Sequence, residues 1–211
     1  MGTIDRPTNA RSRRTREALL AATREILESD GFAGLTMTAV AERAGVTRRA
    51  AYLHFASRAA LVDALFAYVA DREGLEQSAA RVWAAPDAVG ALRAWAAHYA
   101  DYHFRVLAVD RAVSRVERKD PDAAAHRARV RGAKLANCRR IAQWLADEDV
   151  LAPAWTVDTA AQMLSALTNS DLIESLMIDC GWSATDFTNR IAELLIATFT
   201  VPARESTNTE R

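Results

Sequence analysis

Residues 36–55, TMTAVAERAGVTRRAAYLHF, leave the backbone few choices. Thr36 is a good helix N-cap, and Leu35 and Val40 stand at the two positions of a hydrophobic staple around it. The helix MTAVAERA stops at Gly45, and Thr47 caps a second short helix, RRAAYLHF. Two short helices joined by a tight turn containing Gly make a helix-turn-helix. Ala39, Val40 and Ala44 are small or apolar, as the first helix of such a pair requires where it packs closely, and Val46 and Ala51 are expected to face the core. The second helix opens with Thr47, Arg48 and Arg49. Hydroxyl and guanidinium groups thus stand at a helix N-terminus, where the peptide dipoles add partial positive charge and where a recognition helix meets base edges and phosphates.

The rest of the chain predicts an all-α fold. Gly and Pro number only 8 and 5 in 211 residues, Ala is abundant, and no stretch alternates polar and apolar residues as a strand would. Residues 1–12 read as a flexible basic arm, followed by a helix over 13–29 with Leu19, Ala22 and Ile26 inward, ended by Asp30-Gly31. Ser57 caps a fourth helix reaching about Val82. Pro86-Asp87 opens another, with a stripe at Leu92, Trp95, Tyr99, Tyr102 and Val106. The DPD at 120–122 interrupts the chain before a basic helix to Asp147, Pro153 starts a long helix to Asp179, and Ser183 caps the last. The domain division expected is an N-terminal three-helix helix-turn-helix domain over 13–73, a larger helical domain over 74–202, and a disordered tail over 203–211.

Net charge is zero, but residues 1–60 hold ten arginines against six acids, so the basic excess lies where a phosphate backbone can use it. Cys138 and Cys180, far apart, make neither a disulfide framework nor a metal knuckle and read as small buried apolar residues. His98 and His103, five apart, do not share a helix face, so no metal site and no cofactor are expected. The basic N-terminus lacks the apolar core of a signal peptide, and no uncharged run approaches the roughly 20 residues that span a bilayer. A cytoplasmic protein with no membrane partner is expected.

The ordered features RRTREALLAATREIL, DGFAGLT, TAVAERAGV, TRRAAYLHF and SRAALVDAL resemble the TetR family of transcriptional regulators, and Tyr52-x-x-Phe55 followed by Arg58 is a strong marker of it. The resemblance covers residues 13 to about 73; beyond that it rests on length, helical character and the closing GWS…F pattern. It implies a DNA-binding homodimer, usually a repressor, that reads a near-palindromic double-stranded operator and responds to a small molecule. Carried onto this sequence, Arg13, Arg14, Thr36, Thr38, Thr47, Arg48, Arg49, Tyr52, His54 and Arg58 are the expected DNA contacts. The chain departs from the family at Arg49, where Gly is usual, and at Ala50, where Thr is frequent. Arg49 is expected to reach a base or a second phosphate.

In the larger domain Trp95, Tyr99 and Tyr102, with Trp144 opposite, are either ordinary core aromatics or the lining of a small-molecule site. The polar cluster Thr168–Asp171 interrupts an apolar run and is either solvated or hydrogen-bonded inward. The resemblance, through relatives with large apolar effectors, gives Asn169 a place in the pocket. The last helix has one stripe at Phe187, Ile191 and Leu194 and an extension through Leu195 and Phe199. That pattern points to burial on two sides and a two-fold partner. The basic run HRARVRGAKLANCRR is either a solvated face or an attractor of anions. The alternatives are an all-α carrier or enzyme without DNA recognition and a structural partner-binding protein. No HExxH, GxSxG, P-loop, GxGxxG or CxxC occurs, and the basic lead with Arg48 and Arg49 serves neither alternative.

Overall fold

The helix starts follow from their caps. In a computed structural model that describes residues 9–201, Asn9 accepts from the Ser12 N–H at 2.8 Å and opens α1, Ala10–Ser29. The helix thus begins three residues earlier than expected; the remainder of the expected arm and the tail beyond 201 lie outside the described residues. A single helical turn, α2 (Gly31–Gly34), leads to α3 (Met37–Arg43) and α4 (Arg48–His54). Thr36 and Thr47 accept from the Ala39 and Ala50 N–H groups, both at 3.1 Å. Between them Gly45 takes φ +67°, a left-handed conformation that a side chain would strain.

Ser57 caps α5 (Arg58–Arg72), as its hydroxyl predicts. The helix expected to continue to Val82 instead breaks at Glu73-Gly74, where Gly74 adopts φ +73°, and α6 (Leu75–Trp83) comes after the break. Next come α7 (Ala88–His98), a π-helical turn over Tyr99–His103 and α8 (Phe104–Ser114). The long basic helix α9 spans Pro121–Asp147. The expected helix from Pro153 to Asp179 is three pieces: α10 (Val157–Leu167), α11 (Ser170–Ile173) and a second π-helical segment, Glu174–Asp179. Thr168 leaves the helical region at φ −119°, ψ 55°, and Asn169 caps α11. The last helix, α12 (Ala184–Phe199), opens on Ser183. Among the described residues the only β-type pairing is one isolated bridge, Leu151 with Thr200, so the fold is all-α.

By contacts the chain divides into two units. The first runs to Glu76 and includes Tyr102–Gly132; the second comprises Gln77–Asp101 and the chain from Ala133 onward. The first unit's core joins Leu19, Ile26, Val40, Phe55, Leu61 and Leu65 to Tyr102, Val109 and Val113 of the later segment. In the second unit, α12 packs on α7. Phe187, Ile191, Leu195 and Phe199, one ridge at four-residue spacing, are buried, each stabilising the fold by about 1.5–3 kcal/mol. This corrects the expected stripes: three of the four residues assigned to a partner interface (Phe187, Ile191 and Leu195) are core, and Leu194, 46 % exposed, lies on the outer face. Cys138 is buried, its thiol pushed up to about 12 by that burial, whereas Cys180 is exposed.

Candidate nucleic-acid interface

The first unit displays a polar edge built from α1, α3 and α4. Arg13 and Arg14 are exposed on α1, Thr36 and Thr38 at the start of α3, and Thr47, Arg48, Arg49 and Tyr52 on α4. The Arg48 guanidinium lies 5.5 Å from the Tyr52 ring centroid, so the tyrosine keeps that side chain standing along the outer face of α4. A cleft of about 490 Å³ separates the start of α1 from α4; Arg11, Ser12, Thr15, Gly45 and Thr47 are among its walls. Thr36 and Thr47 have a second task, since each hydroxyl holds the N-terminus of its own helix.

Two expected contacts are placed differently. His54 is only 6 % exposed. Burial, and then the nearby Arg16 charge, lower its pKa and favour the neutral ring. It lines the floor of the cleft rather than projecting from α4. Arg58, 31 % exposed at its side chain, hydrogen-bonds Asp120 at 2.5 Å and Asp122 at 3.0 Å and lies 5.0 Å from the Phe32 ring centroid. Burial works against its charge, but the two carboxylates outweigh that and raise its pKa. Its guanidinium therefore ties α5 to the N-terminal end of α9.

One residue that the sequence did not flag holds this surface together. Arg16 donates to the carbonyl of His54, the last residue of α4, at 3.2 Å and lies 4.4 Å from the Phe55 ring centroid. The recognition segment is thus capped at its start by Thr47 and at its end by an arginine 38 positions away.

The expected effector residues do not form one group. Trp95 and Tyr99 are buried in the second unit with ring centroids 5.3 Å apart. Tyr102 belongs to the first unit, where burial, and then the Glu73 charge, push its hydroxyl up to about 12. Trp144 donates to Glu148 at 2.6 Å, and the other carboxylate oxygen of Glu148 accepts from the Ala88 N–H at 3.0 Å. The indole is therefore tied through Glu148 to the start of α7. Asn169 is exposed, its side-chain oxygen accepting from the Leu172 N–H at 2.8 Å; an N-cap, not an inward-facing side chain, explains it. Two further residues join Trp95 and Tyr99 in the second unit. His98 pairs with Ser78 at 2.8 Å, and Lys134 donates to the Thr168 carbonyl at 2.9 Å while lying 5.7 Å from the Tyr99 ring centroid.

Residues 19–65, which include α3, α4 and the start of α5, match the model of the bacterial regulatory proteins of the tetR family. Over this segment the chain is similar to the tetR-family regulators. No curated protein matches it. Solved structures share the fold along most of the chain. A putative TetR-family regulator from Rhodococcus sp. is 18 % identical, covering 89 % of this chain and 100 % of its own, with TM-score 0.69. NalD of Pseudomonas aeruginosa, described as the secondary repressor of the MexAB-OprM multidrug efflux pump, is 18 % identical over 90 % and 98 % with TM-score 0.70. The ketosteroid transcriptional regulator KstR2 of Mycobacterium tuberculosis is 16 % identical over 94 % and 100 % with TM-score 0.61. The matched segment is that of a DNA-binding transcriptional regulator. Among the described residues no single helix is long and apolar enough to cross a membrane.

Proposed function

We propose that this regulator is a cytoplasmic repressor that binds a near-palindromic operator as a homodimer and is released by a small, mainly apolar effector. Residues 13–73 read the DNA, and the chain from 74 to 202 dimerises and binds the effector. The observation that carries the reading is the outward edge of α4, where Thr47, Arg48, Arg49 and Tyr52 stand exposed on a helix held at both ends. Two such helices related by a two-fold axis enter successive major grooves about 34–36 Å apart. Arg48 and Arg49 contact bases, and Arg13, Arg14, Thr36, Thr38 and Tyr52 contact the backbone. For the partner copy, the outer faces of α10 and α12 offer Met163, 40 % exposed, and Leu194. Repression and an effector also agree with the descriptions of NalD and KstR2.

An operator selection from random duplexes, followed by a salt titration on the selected site, tests this reading. The expected result is an inverted repeat whose half-site centres lie about one helical turn apart, with log affinity falling steeply against log salt. Recovery of no symmetric site, or a flat salt dependence, overturns it.

A further inference from the structure

Within the second unit, one buried donor has nothing to donate to. Trp95 is 3 % exposed and its indole Nε1–H has no hydrogen-bond partner. An indole nitrogen is a donor only, and buried polar groups are otherwise almost always paired. The rings of His98 and Tyr99 lie 5.4 Å and 5.3 Å from the indole ring, centroid to centroid. Ser78 holds His98 in place at 2.8 Å. The Lys134 ammonium stands 5.7 Å from the Tyr99 ring centroid. A π-helical turn starts at Tyr99, next to these rings, and such turns recur at functional sites.

Flat apolar walls, an unanswered N–H and a nearby cation call for a ligand with an aromatic or apolar body and an acceptor oxygen. We propose that the effector presents a carbonyl or carboxylate oxygen to Trp95 Nε1–H, with its body against the rings of His98 and Tyr99 and with Lys134 as the electrostatic partner. This inference rests on the reading of the larger domain as the effector-binding one. It adds which polar group the effector carries and which side chains recognise it. Rearrangement that brings an acceptor to Trp95 satisfies a donor left unpaired in the ligand-free protein, so the cluster favours ligands with that oxygen over hydrocarbons of the same shape.

Three matched probes test the proposal by calorimetry on the full-length dimer: naphthalene, methyl 2-naphthoate and 2-naphthoate. The two oxygen-bearing probes are expected to bind about tenfold more tightly than naphthalene, the effect of one added hydrogen bond. Trp95→Phe keeps an aromatic ring and removes the donor. It is expected to bring both oxygen-bearing probes down to the naphthalene affinity and to leave naphthalene unchanged. Lys134→Gln distinguishes the two oxygen sources: a loss for 2-naphthoate alone assigns a carboxylate, and an equal effect on both assigns a carbonyl. In the unmodified protein the Trp95 indole ¹⁵N–¹H resonance is expected to move downfield with the oxygen-bearing probes and not with naphthalene, a readout that needs no variant. If all three probes bind equally and Tyr99→Ala weakens them, the acceptor proposal falls while the effector site stands. If none binds, both fall.

Discussion

The arginines of α4 and those of α9 meet opposite surroundings. On α4, Arg48 and Arg49 are exposed, and Arg48 is braced by the ring of Tyr52. On α9, Arg127 pairs with Asp110, Arg129 with Asp63 and Arg131 with Glu117. Further along, Arg139 pairs with Asp158, and Arg140 lies 3.9 Å from the ring centroid of Trp83. Two arginine-bearing helices thus have separate surroundings. One leaves its charge exposed, and the other uses it to bind helices of the same chain. A basic run acts on an external partner only where the fold has not already supplied carboxylates to it. Each helix also carries a buried histidine. His54 lies beside Arg16, and the His126 ring stacks on Phe66 at 3.7 Å.

The contrast breaks most easily at Arg127. Its pair with Asp110 is largely covered, with side-chain exposures of 18 % and 15 %. Arg127→Ala leaves Asp110 without its main partner and is expected to cost about 2–4 kcal/mol of stability by urea denaturation. Operator affinity of the folded protein is expected to stay near that of the parent. Arg48→Ala should do the reverse, costing about 1–3 kcal/mol in operator binding by fluorescence anisotropy and relaxing sequence preference, with little change in stability. Arg139→Ala is the control on α9. If it weakens DNA binding as much as Arg48→Ala does, the division of labour between the two helices is wrong.

The two histidines sharpen the comparison through pH. Burial lowers the pKa of both His54 and His126, the Arg16 charge assisting at His54 and Asp63 opposing at His126. The folded chain therefore holds them neutral where the unfolded chain, with ordinary values near 6.5, takes up protons. Their contribution is present in full above about pH 6.5 and is lost as pH falls through the unfolded value toward the folded one. The expected loss is up to about 1.4 kcal/mol per pH unit for each. A thermal-denaturation series from pH 7.5 to 5 should show it, and the double variant H54Q/H126Q should flatten the slope. An unchanged slope means the rings are already charged in the native protein. The smallest effect belongs to Arg129, whose pair with Asp63 is about half exposed on both sides. Arg129→Ala is expected to change stability by less than about 1 kcal/mol, and a larger loss would show that the α9 pairs act as one network.

How much was legible in the sequence depends on the range of the interaction that carries each feature. The caps at Thr36, Thr47, Ser57 and Ser183 and the left-handed Gly45 were readable because an N-cap bonds three residues ahead and a tight turn closes within a few residues. The helix-turn-helix and its exposed Arg48 and Arg49 follow from those local rules. The breaks at Gly74 and at Thr168-Asn169 have local signals too, a glycine and a capping asparagine. The apolar periodicity runs through both and masks them.

What the sequence determined by itself is an all-helical chain with a helix-turn-helix near its start, since periodicity, capping and turn chemistry are properties of neighbours. What only the tertiary structure decided is which polar groups remain for outside partners. Arg58 is held by Asp120 and Asp122, more than 60 positions away. Arg16 caps a helix 38 positions on, Glu148 accepts from the Ala88 N–H 60 positions away, and the ridge Phe187–Ile191–Leu195 is covered by α7 while Leu194 is left outside. An arginine or a leucine looks the same in sequence whether its partner is a distant segment, a second subunit or DNA. The difference lies in whether the folded chain brings a carboxylate or an apolar face to it, and that depends on contacts that sequence spacing does not encode.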